Sequence, residues 1–336
     1  MNDFSIREKP VPNPSSHVVL LGAGASRAAF PDGDKNGRRL PLMNELPDVL
    51  GESWGKLVIE ANIPAGDFEA QYSWIKAKSE YAKDLEVIEL RLKHYFEQME
   101  LPDHPTIYDY LVLGLRSSDV IGTFNWDPLL LQALERNKGV CKLPDLRFLH
   151  GCVSYTTCEE HDVLGLKGQI CPVCKSKLIT GQLLYPEADK DYTRDSFIKR
   201  DWDLVKKAVE NSFHLTVFGY SAPKTDYNAR QILLDAWGKE ESRGMSHVEL
   251  IDIARPDQLV ENWRDFIPYD HMMHESDFFN SSIARWPRRT FEWKRNASWY
   301  GLPSADVGIC KTDSLQELQD WFRELGELEE NSEDQL

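Results

Sequence analysis

The stretch Val18-Val19-Leu20-Leu21-Gly22-Ala23-Gly24-Ala25-Ser26 is a short apolar run that stops at a Gly-x-Gly-x-Ser turn. Four consecutive aliphatic side chains without polar alternation predict a strand buried on both faces. Glycines directly after such a strand let the backbone come close to a neighbour. A helix starting there would aim free N–H groups at an anion such as phosphate. A glycine turn can also serve only the packing of the chain itself, so this turn alone leaves both readings open.

Further along, the same strand–turn–helix pattern recurs. Asp119-Val120-Ile121-Gly122 runs into Thr123-Phe124-Asn125-Trp126-Asp127-Pro128, with a helix from about Asp127 and Pro128 in its first turn. Leu146-Arg147-Phe148-Leu149 ends at His150-Gly151, and His214-Leu215-Thr216-Val217-Phe218 ends at Gly219-Tyr220-Ser221, with Asp226 opening the next helix. His247-Val248-Glu249-Leu250-Ile251 ends at Asp252. Alternation of this kind predicts an α/β fold with a Rossmann-like parallel sheet. Parallel strands bring their ends to one edge, so Gly22, Gly24, Ser26, Asn125, Asp127, His150, Gly219, Ser221 and Asp226 can converge. Each has a simpler role available. Asp127 can cap a helix, Ser221 and Asp226 can be turn and cap residues, and His150 can be a structural histidine. Their joint occurrence points to a site.

The remaining segments read as follows. Residues 1–16 are a polar, Pro-rich, flexible leader. Residues 30–41, rich in Gly, Pro and charge, predict a mobile loop over the end of the first strand. Residues 42–116 form a helical insert, with Phe68, Tyr72, Ile75, Leu85, Ile88 and Leu92 on helical faces. A helix follows from about Asp195 to Asn211. Residues 256–325 are a C-terminal extension ending in an amphipathic helix capped by Asp313 or Ser314. The acidic tail, 326–336, is expected to be disordered.

The 336 residues carry a formal charge of −16, which argues against wrapping a nucleic-acid backbone. No run has the length of a membrane span and the N-terminus has no signal-peptide core, so a cytoplasmic location is expected. Six cysteines are too few for a disulfide scaffold, and four cluster with a histidine. Cys158-Glu159-Glu160-His161 and Cys171-Pro172-Val173-Cys174 have knuckle spacing for a structural Zn2+ held by Cys158, His161, Cys171 and Cys174, within a small zinc-ribbon-like insert, 152–180. Cys152 competes for a ligand place.

Taken together, Gly22-Ala23-Gly24-Ala25-Ser26, Thr123-Phe124-Asn125-Trp126-Asp127, Leu149-His150-Gly151 and Gly219-Tyr220-Ser221-Ala222-Pro223-Lys224-Thr225-Asp226 resemble, in order, the motifs of the sirtuin (SIR2) superfamily. They are most similar to the bacterial SIR2-like domains of anti-phage defence proteins. The resemblance covers residues 17–255 and implies an NAD+-binding domain. It implies that Gly22, Ala23, Gly24 and Ser26 contact the pyrophosphate and that Asn125 and Asp127 lie by the nicotinamide ribose. It makes His150 a general base, puts Gly219 and Ser221 on the adenine-ribose side and Asp252 on a ribose hydroxyl, and counts Asp226 among the cofactor-binding residues. Deacylase sirtuins carry Gly-Ile-Pro-x-Phe-Arg after the glycine turn and Gln before the motif Asn. Here Arg27-Ala28-Ala29-Phe30-Pro31-Asp32 and Phe124 stand instead. Both departures favour hydrolysis of NAD+ over deacylation, with Arg38 or Arg39 as the candidate to supply the missing cation. The resemblance implies an NAD+-depleting effector in anti-phage defence, working as a homo-oligomer and with a partner protein such as an ATPase. The alternatives are an NAD+-dependent protein deacylase and a non-catalytic NAD+ or ADP-ribose sensor.

Overall fold

The computed structural model describes residues 16–187, 190–193, 195–221, 226–239, 243, 246–267, 271–294 and 308–333. The leader as far as residue 15, the motif residues Ala222–Thr225 and the last three residues lie outside these. Six strands form one parallel sheet: β1 (Ser16–Leu21), β2 (Val120–Thr123), β3 (Asp145–Phe148), β7 (Ser212–Phe218), β8 (His247–Ile251) and β9 (Met272–Glu275). Their order is β3-β2-β1-β7-β8-β9, so the chain starts at the centre, builds one flank, and crosses back over β1 to build the other.

The apolar run explains why β1 is central. Val19 and Leu21 point into one core, and Val18 and Leu20 into a second core on the opposite face; all four are fully buried. The first core is filled by the helical insert, with α2 (Leu46–Leu50), α3 (Glu52–Glu60), α4 (Phe68–Lys76), α5 (Ala82–Glu97) and α6 (Ile107–Gly114). The insert shares this core with the sheet and has none of its own. The second is filled by α8 (Ser196–Asn211) and α9 (Tyr227–Trp237). Asp195 caps α8, accepting hydrogen bonds from the N–H groups of Phe197 and Ile198.

The C-terminal extension joins the sheet: β9 adds a sixth strand beyond residue 255. Met272-Met273-His274-Glu275 has no apolar run and no clean alternation, because the strand lies at an edge and is only half buried. One expectation is corrected: the acidic tail is helical as far as Glu333, within one helix that spans Leu315–Glu333. Leu318 and Phe322 anchor that helix in the first core at 0% exposure. The Ser314 hydroxyl accepts from the Glu317 N–H at its start.

At the N-terminal edge of the sheet lies a dry polar cluster. His17, His214, Thr216 and Glu249 are all fully buried. The His17 Nε2 lies 2.7 Å from the Thr216 hydroxyl. Glu249 accepts from the N–H and hydroxyl of Ser282, each at 2.8 Å, and this fixes the C-terminal extension to the sheet. A separate three-stranded antiparallel sheet, β5-β4-β6, spans β4 (Tyr155–Cys158), β5 (Val163–Leu166) and β6 (Ile179–Thr180).

Candidate active site

Register places the site. Leu21 pairs with Thr123 and with Phe218, Thr123 with Phe148, and Phe218 with Ile251. The residues just beyond these are Gly22, Phe124, Leu149, Gly219 and Asp252, all at one sheet edge beside the point where strand order reverses. Apart from Arg38 and Arg39, every residue that the sequence assigned to catalysis or nucleotide binding lines one cavity of about 920 Å³.

The glycines act first on each other. The N–H of Gly22 donates to the carbonyl of Phe218, and that of Gly24 to the carbonyl of Gly219, at 3.0 and 2.9 Å. A Cβ on Gly22 would lie 2.5 Å from the Gly219 carbonyl oxygen. Gly219 has φ +61°, and a Cβ there would lie 2.1 Å from the Ala25 nitrogen. The close neighbour that the opening turn needs is therefore the turn after β7. Ala23, exposed at the start of α1 (Ala23–Ala29), still faces the cavity.

Behind that turn lies a directed hydrogen-bond network. The Asn125 amide nitrogen donates to the Gly22 carbonyl and to Ser26 Oγ, both at 2.9 Å. A carbonyl only accepts, so the amide orientation is fixed and Asn125 keeps its oxygen free as an acceptor. Ser26 donates to Asp127 Oδ2 at 2.7 Å. With its one proton spent, Ser26 must accept from the Tyr108 hydroxyl, also 2.7 Å away. Asp127 Oδ1 accepts from the Leu129 N–H, so this residue both caps α7 (Leu129–Arg136) and anchors Ser26. Burial raises the Asp127 pKa, and the bonds from Ser26 and Leu129 oppose the rise. Tyr108, on α6, was not found from sequence. It sits on the insert and carries no motif.

His150 follows β3. It is 7% exposed, and its Nε2 has no hydrogen-bond partner although the residue lines the cavity. Its ring stacks on Tyr192 at 6.0 Å and meets Phe124 edge-on at 5.0 Å. Burial pushes its pKa down to about 4; Asp226 opposes that shift and Lys190 adds to it. The imidazole is thus neutral at pH 7. Asp226 is committed, pairing with Lys190 and accepting from the Tyr220 hydroxyl at 3.0 Å. Lys190 also reaches Glu69 on α4 at 3.1 Å. Nothing in the sequence around Lys190 marks it.

Ser221 is exposed at the rim. Asp252 Oδ1 accepts from the Ala254 N–H. Ser276 and Asp277, after the unforeseen β9, extend the same wall.

The loop 30–41 differs from its expected mobility. Asp34 is buried and accepts from the N–H groups of Asn36, Arg38 and Glu100 at 2.9, 2.8 and 3.1 Å. Arg38 turns to Asp34 and Gln98, and Arg39 is exposed. Neither lines the cavity; the arginine that does is Arg27, whose Nε donates to the Leu40 carbonyl and which pairs with Glu45.

The ligand atoms of Cys158, His161, Cys171 and Cys174 all lie within 4.8 Å of one another. Cys158 Sγ is 3.4 Å from His161 Nδ1 and 3.8 Å from Cys174 Sγ. A tetrahedron of sulfurs about 2.3 Å from zinc has edges of about 3.8 Å, so this set fits Zn2+. Asp162 and Lys175, each directly after a ligand, have φ +49° and +63°, a strained backbone that tight knuckles require. Cys152 is not in the set; it is buried behind Asp127. With all four donors from the protein, the metal would have no open position and would serve the fold.

No protein-family model matches the chain, and no curated protein matches it in sequence. Among solved structures it is similar to a SIR2 homolog–NAD complex at 16% identity, covering 84% of this chain and 90% of that one, with a TM-score of 0.37. It is similar to a Sir2 homologue mutant bound to ADP-ribose at 15% identity, with 86% and 95% coverage and a TM-score of 0.41. A third is SIR2 with an inhibitor, 2′-O-acetyl-ADP-ribose and a deacetylated peptide, at 13% identity, 85% and 94% coverage and a TM-score of 0.35. Likeness of this degree gives no residue of this chain a role. Among the described residues no helix is long and apolar enough to cross a membrane.

Proposed function

We propose that this protein hydrolyses NAD+ to ADP-ribose and nicotinamide. One observation carries the reading: Asn125, its amide nitrogen committed to Gly22, and His150, a neutral imidazole with a buried and unpartnered Nε2, line the same cavity. The pyrophosphate lies against the turn Gly22–Ser26, the adenosine toward Gly219, Ser221 and Asp252, and the nicotinamide ribose by Asn125. Asp226 is then a wall residue whose carboxylate is already engaged.

Breaking the bond between ribose and nicotinamide builds oxocarbenium character on the sugar while nicotinamide leaves neutral. Asn125 Oδ1 holds a ribose hydroxyl or a water without adding charge, and so fixes the attack geometry. Water adds to the anomeric carbon, and His150 Nε2 takes the proton from it or from a ribose hydroxyl. Ser26, Asp127 and Tyr108 hold Asn125 in place. Zn2+, when bound at its four-donor set, supplies only structural support.

The role as a defence effector that depletes NAD+ in the cytoplasm rests on the motif resemblance, as do the homo-oligomer and a partner protein such as an ATPase. Incubation with NAD+, with and without an acetylated peptide, tests the chemistry. Free ADP-ribose without peptide is expected. O-acetyl-ADP-ribose formed only with peptide would make this a deacylase, and binding without turnover a sensor. Asn125→Ala and His150→Ala should each lower the rate by about 100-fold or more; full activity in either sinks the assignment.

A further inference from the structure

Lys190 lies between two carboxylates from distant parts of the chain. Its Nζ is 3.1 Å from Glu69 Oε1 on α4 and is bonded to Asp226 just before α9. The side chains of Lys190, Glu69 and Asp226 are 5%, 8% and 9% exposed, so water screens them little. Asp226 lines the same cavity as His150. The charged groups that act on His150 are Asp226 and Lys190. Its ring neighbours add none: Phe124 is apolar, and burial raises the pKa values of Tyr192 and of Tyr220 beyond it, keeping both neutral.

A carboxylate on the same cavity wall favours the protonated form of the imidazole. Here the carboxylate already has a partner. We propose that Lys190 is a positioning residue: by engaging Asp226 it keeps that carboxylate from pairing with His150 and leaves the imidazole an unpaired base at the cavity wall. The inference rests on the proposed NAD+ hydrolysis for its functional meaning, although the state of the imidazole can be read without turnover.

The test is an NMR titration of the His150 ring in the full chain, labelled with ¹⁵N-histidine, beside the pH profile of NAD+ cleavage. The wild-type ring should stay neutral down to about pH 5. In Lys190→Met its midpoint should rise by about one pH unit or more, and the acid limb of the rate profile should rise with it. Lys190→Arg, which keeps the charge, should restore the wild-type midpoint. If Lys190→Met fails to fold, Glu69→Gln/Lys190→Met removes one of the two carboxylates that Lys190 engages and should show the same rise. Glu69→Gln alone cuts the tie to α4 but leaves Lys190 on Asp226, and should leave the midpoint in place. A folded Lys190→Met or double variant with an unmoved midpoint overturns the proposal. So does a Glu69→Gln variant that raises the midpoint as far, because the triad would then be only a structural tie. Absence of NAD+ cleavage in the wild type would sink the hydrolase reading, while the titration would still decide the role of Lys190.

Discussion

Gly219 shows how much one missing side chain does. Its φ of +61° costs an ordinary residue about 1–2 kcal/mol, and its Cβ would overlap the backbone at Gly24 and Ala25. Gly219→Ala should therefore destabilise the fold by about 2 kcal/mol or more, read as a lowered urea midpoint. A wild-type midpoint would mean that the two turns can separate without loss. The sequence marked this glycine because it ends an apolar run, and it marked Asn125 and His150 for the same reason. Lys190 and Tyr108 escaped notice. Lys190 meets partners 121 and 36 residues away in sequence, and Tyr108 one 82 residues away, with no period or turn to announce them. Asp34 was equally hidden: its bonds hold a stretch whose Gly, Pro and charge predicted mobility.

Among the elements, the strands with two buried faces were the most legible. β1 ends in four aliphatic residues, and β7 and β8 bury Leu215, Val217, Phe218, Val248, Leu250 and Ile251 around the polar His214, Thr216 and Glu249, because both sides of the sheet are covered. β9 has one neighbour and intermediate burial, so its composition carried no pattern. The small sheet β5-β4-β6 was legible only through its cysteines. Its strands are too short and exposed to hold together on apolar contact alone, with Ile170, Val173 and Ile179 more than half exposed. The purified protein should therefore carry about one equivalent of zinc by elemental analysis. Chelation, or Cys174→Ser, should open residues 155–180 to proteolysis while β1 and β2 stay protected. A metal-free protein with the same cleavage pattern would show that the donors are only thiols and an imidazole.

Across the whole molecule, acid should act early. Burial lowers the pKa values of His17 and His214, that of His150 to about 4 and that of His247 to about 3. The unfolded chain binds these protons more readily, so their stabilisation is complete above about pH 6.5 and is lost as pH falls toward the folded values. Asp119, Asp127 and Asp201 oppose this, because burial raises all three, Asp119 and Asp201 to about 6, and protonation relieves them. Four histidines outweigh three aspartates, and a loss of about 2–5 kcal/mol between pH 7 and pH 5 is expected from urea midpoints. Stability that is flat or rising over that interval would refute it. Glu249, held at about 2 chiefly against burial by His214, adds its loss only between about pH 4.5 and 2. The interlocked turns at Gly22, Gly24 and Gly219 have one more consequence, which concerns descent. Because these glycines meet backbone on backbone, a lineage that lost the proposed chemistry would still have to retain them, while Asn125 and His150 would be free to drift. Among future homologues, intact glycines would report only ancestry, and the amide–imidazole pair would separate chains able to perform the proposed chemistry from those that have lost it.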